Sequence, residues 1–173
     1  MNTPLYAAML LGLALTFSCK DTERVVETGP DASAADMPRL GGPAPADSLV
    51  FMLRKSPCFG HCKAYQIEVY RSGYAVYNGN SNVEKIGMHT DRIGPDTLKA
   101  LVAEADRIGF FGLEDKYDAP VTDLPSTVIR VVANGKDKEV TGRVGTPEDF
   151  KALAAQAEEL LLPVPWRPVP AKD

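Results

Sequence analysis

YQIEVYRSGYAVY, residues 65–77, predicts a β-hairpin in the middle of this 173-residue chain. On both sides of the turn signal at 71–73, apolar and polar side chains alternate, as they do in strands with one buried face. Asn78-Gly79-Asn80 signals a second turn, and Val83 to His89 is a plausible third strand. Upstream, the apolar run LVFML at 49–53 suits a buried strand. We therefore expect a meander of antiparallel strands.

The hydrophobic period changes to that of a helix in two later segments. The first begins at Pro95, is ended by Gly109, and has an apolar stripe of Leu98, Leu101, Val102, Ala105 and Ile108. The second is expected to start with Thr146 as N-cap and Pro147 in the first position, and to end at Pro163. Its stripe consists of Phe150, Leu153, Ala154, Ala157, Leu160 and Leu161.

Another hairpin lies between the two helices. TVIRVV at 127–132 is rich in β-branched residues, Asn134-Gly135 is a strong hairpin-turn dipeptide, and Lys138 to Thr141 is the return strand. Because hairpins dominate and parallel crossover units do not, we predict a single α+β domain over residues 48–162. Its antiparallel sheet should be built from hairpins or a meander and packed with two helices.

The segments that flank this domain have a different composition. Residues 20–47 are rich in Ala, Gly, Pro, Asp and Ser, and they have no repeating apolar period. Such a segment buries too little apolar surface to offset its ordering entropy, so we expect a disordered tether over residues 19–47. The alternative is an irregular arm that packs on the domain. Residues 163–173 form a tail too rich in proline for helix or sheet, which Trp166 could attach to the domain.

The first residues predict export. LYAAMLLGLALTF at 5–17 is an uncharged apolar run of thirteen residues, whereas a membrane-spanning helix needs about 20. The run matches the apolar core of a secretory signal peptide over residues 1–18, and Ser18 and Cys19 follow it directly. An ordinary secretory peptide and an interfacial helix are the alternatives.

This arrangement resembles the lipobox of bacterial lipoproteins. The resemblance implies that the Cys19 thiol carries diacylglycerol, and that cleavage exposes the Cys19 amine for acylation with a fatty acid such as palmitate. Two features depart from the pattern: the first four residues contain no Lys or Arg, and Thr16 replaces the usual Leu. Two or more acyl chains anchor a protein stably. The resemblance, with Lys20 next to Cys19, implies a cell-envelope protein of the outer membrane, on its periplasmic face or at the cell surface.

Two cysteines remain, Cys58 and Cys62, in a loop before the central hairpin. Outside the cytoplasm a disulfide persists, and Pro57 and Gly60 make the tight turn between the two cysteines plausible. A structural disulfide is our preferred interpretation. The alternatives are a zinc or copper site that uses Cys58, His61 and Cys62, and a thiol–disulfide exchange site.

The residues around the cysteines resemble the DUF6438 family, a bacterial domain of unknown function. The resemblance covers about residues 48–162, and Lys63 departs from the usual proline. The matching segments are SPCFGHCKAY at 56–65, Ser72-Gly73, Tyr77-Asn78-Gly79, Gly109-Phe110-Phe111, Tyr117, Thr122-Asp123-Leu124-Pro125 and Asn134-Gly135-Lys136. The resemblance implies the domain and no activity.

Other site candidates are few. Tyr65, Tyr117, Thr122 and Asp123 could bind a ligand, although Thr122 and Asp123 also suit a simple turn. The net charge of −4 and the pI of about 5.2, without a basic cluster, argue against a nucleic-acid partner.

No catalytic motif or cofactor signature stands out. The sequence therefore favours a non-enzymatic binding or structural module, attached to the membrane through Cys19, whose partner is an envelope protein or a small ligand. The alternative is a small metal-binding or thiol-redox protein of the envelope that uses the Cys58/Cys62 loop.

Overall fold

The strands join into one sheet through successive hairpins. The computed structural model describes residues 46–121 and 123–170. The predictions for the signal peptide, Cys19, most of the tether and Thr122 lie outside the described residues. In chain order, the elements are β1 (Leu49–Lys55), β2 (Ala64–Tyr70), β3 (Tyr74–Ser81), β4 (Gly87–Arg92), α1 (Pro95–Arg107), a 3-10 turn (Phe110–Gly112), β5 (Lys116–Tyr117), β6 (Thr127–Ala133), β7 (Lys136–Gly142), α2 (Glu148–Leu161) and β8 (Arg167–Pro168).

The order of strands across the sheet is β5-β7-β6-β1-β2-β3-β4-β8. Every neighbouring pair is antiparallel except β5 and β7, which run parallel. Strand β1 is central because it pairs with β2 on one side and with β6 on the other. The predicted α+β architecture with a hairpin-built sheet is confirmed.

The hydrophobic core lies between the two helices and one face of the sheet. Alternate residues of the central strands point into it and are almost completely buried, among them Phe51, Leu53, Ile67, Val69, Ile129 and Val131. Helix α1 contributes Leu101 and Ala105, and α2 contributes residues of its predicted stripe. Each large side chain buried in this way contributes about 1.5–3 kcal/mol. No helix in the described part of the chain is long and apolar enough to cross a membrane.

The start of α2 differs from the prediction. Pro147 occupies the N-cap position and no side chain caps the helix, so Thr146 is not the cap. The Thr146 side chain instead lies against Gly142, where a β-carbon would come within 2.7 Å of its Cγ2 atom. Packing against β7 therefore replaces the capping hydrogen bond.

The tail is more ordered than its proline content predicts. Arg167–Pro168 forms β8 beside β4, and the Val169 amide donates to the Met88 carbonyl at 2.9 Å. Trp166 is buried, its ring centroid lies 5.5 Å from that of Tyr77, and its indole N–H donates to the Leu161 carbonyl at 3.0 Å. Proline is tolerated here because β8 is an edge strand.

Candidate functional site

Those residues singled out from the sequence that the structure describes lie at one end of the sheet. The strand register aligns Tyr117, Thr127, Lys55 and Tyr65, on β5, β6, β1 and β2, in a single row across the sheet. Tyr117 and Tyr65 are four strands apart, which corresponds to about 19 Å. They share an end of the sheet, but they are too far apart to contact the same small ligand group.

The loop between β1 and β2 carries the cysteine pair. Cys58 and Cys62 form a disulfide with a Cα–Cα distance of 5.6 Å, and the Gly60 amide donates to the Cys58 sulfur at 3.3 Å. The predicted disulfide is therefore present. Phe59 lies at the tip of the closed loop, and 93% of its surface is exposed.

Hydrogen bonds fix two neighbouring loops to this one. The Asn82 amide group, in the β3–β4 loop, donates to the Cys62 carbonyl at 3.0 Å. The Ser56 amide donates a hydrogen bond to the Ser126 carbonyl at 2.9 Å. In return, the Ser126 amide donates to the Ser56 hydroxyl at 2.7 Å. We call the surface formed by residues 56–63, 82–86, 118–121 and 123–126 the loop end.

The loop end carries unusually exposed apolar side chains. Phe59, Ile86, Val121 and Leu124 are exposed on its three loops. In the described part of the chain, the other large exposed hydrophobic residues are Met88 and Val169, which neighbour each other at the β4–β8 edge. Four of these six exposed residues therefore lie on loops at the same end of the sheet, which makes this end a candidate surface for contact with another molecule.

Beneath the loop end, a polar cluster connects the sheet to α2. The buried Tyr65 hydroxyl donates to Glu158 Oε1, and Lys55 Nζ lies 3.5 Å from the same oxygen. Burial and the hydrogen bond to Glu158 raise the Tyr65 pKa far above its ordinary value, so the phenol stays protonated at neutral pH. The hydroxyl proposed for ligand binding is thus already engaged, and it is unsuited to act as a base.

Glu158 is not among the residues that the sequence singles out. Its position in the helix nevertheless indicates that it lies beside the buried face, because Glu158 comes four residues after Ala154 and directly after Ala157, both buried on α2. A polar residue at the margin of a buried stripe is well placed to meet a partner on the facing sheet.

The β5–β6 loop has the geometry of a turn. The Tyr117 hydroxyl accepts a hydrogen bond from the Glu114 amide at 3.1 Å. Asp118 lies 2.9 Å from Lys116 Nζ, and the hydrogen bond from Lys116 lowers the Asp118 pKa. Asp123 is exposed and has a left-handed backbone, with φ of 68°. Aspartate tolerates this conformation better than most residues do, which fits the turn interpretation.

The metal interpretation depends on thiolates. Among residues 46–121 and 123–170, no group of three or more His, Cys, Asp or Glu side chains is arranged to hold a metal ion. In the oxidised loop, Cys58 and Cys62 are bonded to each other and offer no thiolate ligands.

Comparison with known proteins identifies the domain. No curated protein matches the chain. A family model described as Domain of unknown function (DUF6438) matches residues 49–161, which is more than half of the chain and runs from β1 to the end of α2. The matched region contains the disulfide loop, the polar cluster and the two helices. The chain therefore belongs to the DUF6438 family.

Proposed function

We propose that this protein is an exported lipoprotein of the cell envelope, held to the membrane by lipid on Cys19, and that its domain binds a protein partner through the loop end. The observation that carries the proposal is the exposure of Phe59 at the tip of a disulfide-closed loop. Transfer of an exposed phenylalanine side chain from water into a partner's pocket is favourable, because it removes apolar surface from water.

The rigidity of the loop supports this role. The disulfide and the hydrogen bonds from Gly60, Asn82 and Ser126 hold the backbone around Phe59 before any partner arrives. A preorganised loop loses less conformational entropy on binding, so more of the contact energy appears as affinity.

The direction of the chain also supports it. Asp47 accepts a hydrogen bond from the Ser72 amide at 3.1 Å in the β2–β3 turn, so the described chain begins at the end of the sheet opposite to the loop end. Attachment through the preceding residues therefore leaves the loop end at the side of the domain opposite to the point of attachment. The disulfide is consistent with a location outside the cytoplasm, where such bonds persist.

Site-specific photo-crosslinking in intact cells tests the proposal. With a photoreactive amino acid at Lys63, on the loop end, we expect a discrete adduct whose yield falls strongly when Phe59→Ser is introduced. The same amino acid at Asp96, exposed at the start of α1, is the matched control and should give no such adduct. Equal adducts at both positions, or a yield at Lys63 that Phe59→Ser leaves unchanged, would contradict the proposal.

A further inference from the structure

A groove lies at the other end of the sheet, between α1 and the ends of β1 and β6. Its volume is about 550 Å³, within the range of about 300–1,000 Å³ that is typical of ligand sites. The floor is apolar and consists of Val50, Ile93, Leu98, Val102, Val132 and Ala133. The lining follows α1 from Pro95 to Asp106, about 16 Å along the helix axis, so the groove is elongated.

The two ends of the groove differ in charge. Arg71 and Lys99 line the end near the start of α1. At this end the β2–β3 turn is joined to the residues before α1, because the Ile93 amide donates to the Gly73 carbonyl at 2.7 Å. Lys99 is exposed and has no ion-pair partner within residues 46–121 and 123–170. At the opposite end, the Asp106 carboxylate accepts a hydrogen bond from the Asn134 amide group at 2.9 Å.

We propose that this groove binds a single-chain carboxylate amphiphile of the fatty-acid class. The apolar chain lies along the floor beside α1, and the carboxylate lies between Arg71 and Lys99, away from Asp106. Charge complementarity favours this orientation. Asp47, which accepts hydrogen bonds from Ser72, is offset at this end by Arg71 and Lys99, whereas Asp106 faces no cation among the described lining residues at the other end. The proposal is independent of the loop end, which is formed by other loops.

The same charges disfavour residues 38–45, the stretch directly before the described chain, as the occupant. Residues 38–45, PRLGGPAP, contain one cation, no acid and one large apolar side chain. Arg39 would be repelled by Arg71 and Lys99, and the segment offers little else to cover the apolar floor.

Photoaffinity labelling of the full chain in its own membranes tests the proposal. The probe is dodecanoic acid with a diazirine in the chain and a terminal alkyne, and unlabelled dodecanoic acid is the competitor. We expect competed labelling that maps to peptides from residues 95–107 and 128–134. Ala103→Trp fills the groove, and Lys99→Glu reverses a charge at the carboxylate end; each should reduce labelling of the intact protein by about fivefold or more.

The matched control is Lys63→Glu, which makes the same charge change on the loop end and should leave labelling unchanged. Three results would overturn the proposal. The first is labelling spread over the surface, and the second is labelling that neither Ala103→Trp nor Lys99→Glu reduces. The third is stronger groove labelling by a two-chain phosphatidylglycerol probe. Ala103→Trp should leave crosslinking from position 63 intact. The proposal for the groove and the proposal for the loop end can therefore be contradicted separately.

Discussion

At the scale of single residues, Tyr65 connects the sheet to α2 through its hydroxyl. Tyr65→Phe removes the hydrogen bond to Glu158 and leaves the carboxylate with Lys55 at 3.5 Å. Because the acceptor is charged and the bond partly buried, we expect the free energy of unfolding to fall by about 1–2 kcal/mol. Urea denaturation followed by the fluorescence of Trp166, the single tryptophan, measures this change. An unchanged unfolding midpoint would contradict the assigned bond.

The pH dependence provides a control for the same bond. Burial and the hydrogen bond raise the Tyr65 pKa in the folded state, so the stability from the protonated phenol is fully present below the ordinary tyrosine pKa of about 10. That stability is lost as the pH rises above 10 towards the folded-state pKa. Burial and the hydrogen bond to Glu68 raise the pKa of Tyr70 to about 12. Deprotonation of Tyr70 therefore lowers the folding stability further over the same alkaline pH range. Tyr65→Phe should therefore weaken the alkaline destabilisation without removing it.

The disulfide makes a modest contribution to stability. The loop that it closes is short, so the double variant Cys58→Ser/Cys62→Ser should lose about 2 kcal/mol of unfolding free energy. Chemical reduction of the native protein should produce a similar loss, which separates the bond from the serine substitutions. Free-thiol labelling of the oxidised protein should find no reactive group at either position. Stoichiometric zinc or copper in the reduced protein would support the metal-binding alternative.

At this scale, the sequence predicts a residue's role when the role depends on close neighbours. Cys58 and Cys62 are separated by three residues with a turn-forming glycine, so their pairing could be inferred. The bond between Tyr65 and Glu158 joins residues 93 positions apart. It depends on where α2 crosses the sheet, which local patterns do not specify. Thr122 lies outside the described residues, and its proposed role stays a prediction.

At the scale of elements, the approach of α2 to β7 depends on the absence of a side chain. A β-carbon at Gly142 would lie 2.7 Å from Thr146 Cγ2 and 2.9 Å from Phe150 Cε1. Gly142→Ala should displace the start of α2 and lower the unfolding free energy by about 1–3 kcal/mol, measured by urea denaturation. Gly112→Ala is the control, since a β-carbon at Gly112 meets no atom within 4 Å. Equal effects of the two substitutions would contradict this packing.

Periodic elements were predictable and short ones were not. Alternation identified the strands of the first hairpin, and β-branched residues with Asn134-Gly135 identified those of the second. Pro95 marked the start of α1 as expected. Strands β5 and β8 have two residues each, too few to show a period, and each forms by pairing with a strand distant in sequence. The turn predicted at Asn78-Gly79-Asn80 is wrong, because these residues continue β3 to Ser81, and Asn78 and Gly79 pair with the start of β4. The third strand, predicted at 83–89, therefore begins only at Gly87, after a loop at residues 82–86.

At the scale of the whole molecule, the domain has two surfaces at opposite ends of the sheet. The exposed apolar side chains of the loop end suit a protein partner, whereas the groove beside α1 suits a small amphiphile. The Cys58-Phe59-Gly60-His61-Cys62 string indicated the disulfide loop of the first surface, but it did not indicate the exposure of Phe59. The groove combines residues from α1, two hairpin turns and β1, so only the assembled fold reveals it.

The attachment of this domain to a membrane through Cys19 is the central claim, and it is the most directly testable one. We expect the native protein to fractionate with membranes, and mass spectrometry to find a mature chain that begins at Cys19 and carries diacylglycerol and an additional acyl group. Cys19→Ser should leave residues 1–18 uncleaved or release the protein into the soluble fraction. A Cys19→Ser protein that is still cleaved before residue 19 and still bound to the membrane would contradict the account.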